Sequence, residues 1–390
     1  MRLLFWALGA AGWLAGAEVW QTKGFGHFYS LEYDEAIAEF EKQIEAEPRE
    51  PEHYNYLAQA LLYREMYRAG ALESELVTGA NPFLRREKME PRLDDLKRFD
   101  DAVARAMELA QERLKANPND LRGLYALGVA HGLRGNCGFL IRKTYMDALR
   151  DATQSRKLCQ RVVEMDPKQM DARMVLGAHD YIVGSLPGYI RLLGFLTGFA
   201  GDKESGIRTL KMVAEKGQNN RMDAAILLGV IYRRERRPME AIPILLDLVQ
   251  RYPRNYLYRL EQVQFYSDAG DKAKAVAVLD EVDRLKKAGS VGYQKVSWEK
   301  LAFVRGNLLF WYREFDSAIA SLKTATAKAE DLDLHTAVMA WLRLGQSYDM
   351  KGQRAAAKAA YQAAVNAAPN SDGAKEARRY SGSPYVRKEP

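Results

Sequence analysis

Five histidines, His27, His53, His131, His179 and His335, are the side chains best suited to proton transfer or metal ligation near neutral pH. None stands in an H-E-x-x-H motif or pairs with another ligand at a metal-binding spacing, so the sequence predicts no metal. His179 is followed by Asp180, the residue types of a general base and its orienting carboxylate. That pair falls in a helical frame where packing accounts for it more simply. Asp94–Asp95 and Asp100–Asp101 are neighbouring carboxylates in a run of mixed charge that reads as a solvated face. GFAGDKESG, at 198–206, lacks the GK[ST] ending of a phosphate loop and follows no strand. HGLRGNCGF, at 131–139, is glycine-rich and reads as a loop between helices. Cys137 and Cys159 form no C-x-x-C motif, which leaves both a disulfide and two buried free thiols open. These residue types imply neither an enzyme nor a cofactor.

The elements that carry them are helical. The 390 residues are 47% apolar and 28% charged, enough for a sizeable core, and only 13 are proline. Alanine, leucine, arginine, lysine and glutamate dominate between turns, a helix-favouring composition. The net charge of +7 is spread among acidic residues, as in YRRERRPMEA and RLDDLKRFDDAVAR. Such mixing marks solvated helix faces. No aromatic-basic module accompanies the charge, so no nucleic-acid partner is expected.

A repeat runs through the chain. AVMAWLRLGQSYDMKGQRAAAKAAYQAAVNAAPN, from 337, places Trp341, Leu344, Gly345 and Tyr348 on one helix. After a turn at Lys351–Gly352, Ala357, Tyr361 and Ala364 lie on a second helix, which Pro369 ends. Gly345 and Ala357 are small enough for two helices to approach closely. The same frame holds Leu228, Gly229, Tyr232, Ala241, Leu245, Leu248 and Pro253; then Tyr266, Ala275, Leu279 and Val282; then Gly306, Ala318, Leu322 and Ala325. Near the start it holds Trp20, Gly24, Ala36, Phe40 and Pro48. Three further units carry Leu57–Ala58, Leu127–Gly128 or Leu176–Gly177, with insertions at 63–95, 132–150 and 182–203.

This pattern resembles the tetratricopeptide repeat. The resemblance implies an all-α solenoid, a right-handed superhelix of antiparallel helix pairs, with about eight repeats. The expected units are 18–50, 51–120, 121–169, 170–221, 222–255, 256–290, 298–333 and 337–371. A capping helix is expected at 373–380 and a flexible tail at 381–390. Within Gly177–Pro253, Leu186, Pro187, Gly194, Phe195, Gly201, Asp202, Lys203, Gly206 and Leu210 resemble the tetratricopeptide family of inclusion-body-clearance proteins and their bacterial relatives. An apolar helix at 187–197 is expected to tuck against the solenoid, and Asp202 to cap the helix that follows.

The N-terminus, MRLLFWALGAAGWLAGA, has Arg2, an apolar run and an A-x-A ending, the pattern of a signal peptide at 1–17 cleaved after Ala17. An exported, periplasmic or secreted protein is therefore expected. The alternative is a membrane-peripheral protein held by an uncleaved leader or by the apolar insert at 182–200. A solenoid offers a concave groove lined by its first helices. The frame points Asn55, Gln59, Arg122, Tyr125, Ile226, Arg233, Leu260, Gln264, Phe303, Asn307 and Gln346 toward it. That mixture of amides, arginines and aromatics suits a protein or peptide partner. The lysine-asparagine arrangement of carboxylate-clamp repeats is not evident.

Overall fold

The computed structural model describes residues 21–72, 91–186 and 201–387. The expected leader, the helix at 187–197 and the last three residues lie outside them. Seventeen α-helices and no strand occur among the described residues. They are α1 (Lys23–Phe28), α2 (Tyr33–Ala46), α3 (Pro51–Arg68), α4 (Leu93–Ala116), α5 (Leu121–Cys137) and α6 (Tyr145–Met165). Then come α7 (Arg173–Gly184), α8 (Lys203–Lys216), α9 (Arg221–Arg234), α10 (Pro238–Arg251), α11 (Tyr256–Asp268) and α12 (Lys272–Lys287). The last are α13 (Trp298–Trp311), α14 (Phe315–Thr326), α15 (Leu334–Met350), α16 (Arg354–Ala367) and α17 (Asp372–Gly382). Odd and even members of α1–α16 pair into eight hairpins, and α17 covers the last. The architecture is an all-α solenoid.

Local chemistry starts and turns these helices. Asp120, Asp202, Asn255, Asp271, Ser297, Asp333 and Ser371 each cap a helix by accepting from a first-turn amide. Each such cap contributes about 1 kcal/mol. Pro51 and Pro238 stand at helix starts, where a missing N–H costs nothing. In six hairpins the residue two positions before the second helix is left-handed: Leu31, Lys143, Arg236, Gly270, Arg313 and Gly352, with φ from 57° to 80°. One shared turn is thus built from glycine twice and from side-chain-bearing residues four times.

The two helices of a hairpin nest through small residues. Ala36, Ala241, Ala275, Ala318 and Ala357 occupy one position on the second helix, and all are fully buried. A methyl at Gly24 would overlap the Phe40 ring, one at Gly306 would stand 2.6 Å from Leu322 Cγ, and one at Gly345 would stand 2.6 Å from Tyr361 Cδ1. In each case the glycine and its large neighbour are sixteen residues apart. Gly229 departs from its expected role: a methyl there would meet nothing within 4 Å. One continuous core runs from Phe25 to Ala360.

Three other expectations are corrected. HGLRGNCGF is not a loop: 131–137 complete α5, and a π-helical turn spans Gly138–Arg142. Its glycines serve close packing, since a methyl at Gly135 would stand 3.2 Å from both Ala148 O and Asp151 Cβ on α6. Asp95 is not solvated but buried, bonded to Arg64 at 2.5 Å and Arg68 at 2.6 Å. The tail is not loose through Arg387, because Tyr385 and Arg387 contact α13 and α15. Asp202 does cap α8, accepting from Ser205 N at 2.7 Å.

Candidate interaction surface

Of the eleven predicted groove residues, four join neighbouring first helices to one another, and most of the rest are core or bond elsewhere in the chain. Asn55 is buried and donates to Ala126 O at 2.9 Å, tying α3 to α5. Arg233 forks to Asp268 at 3.3 Å and Glu261 at 3.6 Å and reaches Gln264 at 3.4 Å, tying α9 to α11. Asn307 and Gln346 are buried, and both accept from Arg343, at 2.9 and 2.7 Å. Leu260 and Phe303 are core, and Ile226 is half-buried against it. Tyr125 accepts from Asn220 at 2.9 Å, and Gln59 donates to Asp223 at 3.1 Å. Only Arg122 of the set is exposed. Consecutive first helices pack side by side, so positions aimed along the solenoid are covered by the next repeat.

The chain also packs against itself across distant repeats. Phe25, Phe28, Tyr29, Tyr33 and Phe40 form an aromatic cluster with Tyr56, Tyr63 and Tyr67 of α3. This first hairpin then reaches across to distant repeats. Tyr29 OH donates to Asp223 at 3.1 Å, its ring lies 5.1 Å from Tyr252, and its carbonyl accepts from Asn255 at 2.8 Å. Lys295 donates to Leu31 O at 2.7 Å, and the Tyr67 and Tyr256 hydroxyls meet at 3.1 Å. The repeats therefore curve until the first contacts the fifth, sixth and seventh. Burial pushes the Asp223 carboxyl up to about 6; Gln59 and Tyr29 oppose the rise, and the charge of Asp171 adds to it.

Beside this closure is a cavity of about 240 Å³ lined by Tyr67, Tyr256, Lys295, Lys300 and Asp333, among others. Its cations are engaged: Lys300 donates to Thr336 at 2.5 Å, and Lys295 is held by Leu31. His179 lies 3.5 Å from Asp180, beyond a good hydrogen bond, and burial with nearby Arg156 holds its imidazole below the usual range. A tighter histidine–carboxylate pair, His131–Asp151 at 2.8 Å, shares its carboxylate with Arg134 and joins α5 to α6. Sequence spacing did not signal it, because the partners sit on different helices. Cys137 and Cys159 are buried free thiols. No group of metal ligands occurs among the described residues.

An aromatic shelf remains at the ends of α13 and α15. Arg343, seated on Asn307 and Gln346, lies 4.5 Å from the Phe310 ring and 4.7 Å from that of Trp311. Trp311 is 43% exposed beside it. The repeat frame pointed to the two amides; Arg343, which they bind, and Trp311 beside it carry no signal in that frame.

Family models of the tetratricopeptide repeat match residues 218–289 and 339–371. They give no narrower family for 177–253. No curated protein matches the chain. The fold is similar to that in the crystal structure of the APC/C hetero-tetramer Cut9–Hcn1, at 12% identity and a TM-score of 0.50. That match covers 92% of this chain and 54% of the other, so this chain spans about half its length. Yeast Tom70 is similar at 12% identity and a TM-score of 0.41, over 92% of this chain and 87% of that one. The repeat is a protein-interaction module, and with the sixteen paired helices described above it makes the chain a tetratricopeptide repeat protein.

Proposed function

We propose that this protein is an exported, non-catalytic scaffold that binds a protein partner at the aromatic shelf of its last two repeats. The supporting observation is Trp311, an exposed aromatic backed by a guanidinium that Asn307 and Gln346 hold in place. Aromatic and arginine side chains together are the usual energetic anchors of interfaces. In this reading the groove expected along the whole concave side narrows to this end, because the first hairpin reaches across to the fifth, sixth and seventh repeats.

The test places a photo-crosslinking phenylalanine at position 311, and separately at Leu246 on the outer helix α10, which is 47% exposed. Preferential capture from position 311 in the native envelope is expected. Equal capture from both positions would remove the site. Export predicts an intact mass lacking residues 1–17. A retained leader with the protein in the membrane fraction would favour the membrane-peripheral reading. Among the described residues, no helix is long and apolar enough to cross a membrane.

A further inference from the structure

After α17 ends at Gly382, residues 383–387 turn back across the C-terminal ends of α15 and α13. Tyr385 N donates to Asp349 Oδ2 at 2.8 Å. The Tyr385 ring lies 5.9 Å from Phe310 and meets Tyr380 edge-on at 5.1 Å. Arg387 donates to the Trp311 carbonyl at 2.9 Å, and its guanidinium lies 5.2 Å from the Trp311 ring. That carbonyl belongs to the last turn of α13, which has no intrahelical donor left and the negative end of the helix dipole. Val386, between the two anchors, is 75% exposed. The inward–outward alternation is that of an extended peptide laid on a surface.

We propose that residues 383–387 are a self-ligand that covers the shelf. The partner segment it gives way to is an extended peptide with an aromatic residue two positions before an arginine. The chain itself displays the recognition chemistry: one backbone amide, one ring and one guanidinium, each with a named acceptor or face. The hold is light, because Ser383, Pro384 and Val386 are exposed and only two side chains anchor five residues. A competing segment in trans needs to replace few contacts. This proposal rests on the shelf being the partner surface.

The probe is a fluorescein-labelled, end-blocked peptide of sequence SPYVR, titrated by anisotropy into the full chain and its Tyr385→Ala/Arg387→Glu variant. The variant is expected to bind more tightly by the inverse of the fraction of time the shelf is open, about tenfold for a shelf open one time in ten. Adding Trp311→Ala to the variant is expected to abolish binding. Equal affinity in both proteins would overturn the self-ligand. So would no binding to a variant whose circular dichroism and melting match the parent. A parent dimer that becomes monomeric in the variant would overturn it too, by assigning the segment to a second copy. Equal partner crosslinking from position 311 with and without the variant would sink the self-ligand while leaving the scaffold standing.

Discussion

Asp223→Asn is expected to tighten the closure of the first hairpin at neutral and alkaline pH. The ordinary aspartate value is 3.8, and this carboxyl is pushed up to about 6. Its folded value lies above its unfolded one, so the stability tied to the proton is fully present below 3.8 and lost as pH rises through about 6. Above that, ionised Asp223 costs the closed state up to about 3 kcal/mol, at 1.36 kcal/mol per tenfold in proton affinity. Asparagine removes the charge. It can still accept from Tyr29, and Gln59 can turn its amide to accept from the new NH2. The facing groups Tyr33, Tyr63, Tyr252 and Tyr258 are raised by burial and stay neutral in this range, so Asp171 is the other charge that counts. The assay is amide hydrogen exchange of residues 23–46, comparing the two proteins at the same pH so that intrinsic rates cancel. At pH 8 exchange in the variant is expected to be about 10- to 100-fold slower, and at pH 4 the proteins should nearly match. Faster exchange in the variant at pH 8 would mean that the ionised carboxylate clamps the hairpin, and would refute the reasoning.

Gly345→Ala is expected to lower stability by about 1–2 kcal/mol in urea unfolding, because its methyl would overlap the Tyr361 ring. Gly229→Ala, with open space around it, is expected to be neutral or to add up to about 1 kcal/mol through helix propensity; a loss matching that at 345 would contradict the packing. Arg236→Gly is expected to add about 0.5–1 kcal/mol, since an exposed side chain at φ 57° carries the left-handed penalty. An unchanged or lower midpoint would contradict it. Burial pushes the thiol of Cys137 up to about 11 and that of Cys159 to about 12, so neither should react with a disulfide reagent at pH 8 until the protein is unfolded. Two thiols should then react; none would mean a bridge.

The hairpins were readable because they rest on local size rules. A glycine or alanine at a helix contact and a leucine or tyrosine opposite it recur at set separations, and Gly345 with Tyr361 illustrates the rule. The turns were half readable. Gly270 and Gly352 announce a left-handed residue, whereas Leu31, Lys143, Arg236 and Arg313 adopt the same conformation because the flanking helices impose it. The site was least readable. A frame assigns Asn307 and Gln346 to the inner side, but whether Asn307 meets solvent depends on the rise to the next repeat, which brings Arg343 over it, while Gln346 is bonded by Arg343 of its own helix. Nor does any spacing show that Tyr29 will find Asp223, 194 positions away.

That long-range contact bears on the proposed partner site. A solenoid normally presents its concave side to ligands, but this one covers part of that side with its own aromatic first hairpin, whose Tyr29 and Leu31 carbonyls bond to Asn255 and Lys295. A peptide entering there would have to displace several buried rings, each worth about 1.5–3 kcal/mol of burial. At the other end the competing segment offers one half-buried ring and one stacked guanidinium. The cheaper displacement is at the shelf, which is why the proposed partner segment is assigned to the last repeats even though the frame offers eight.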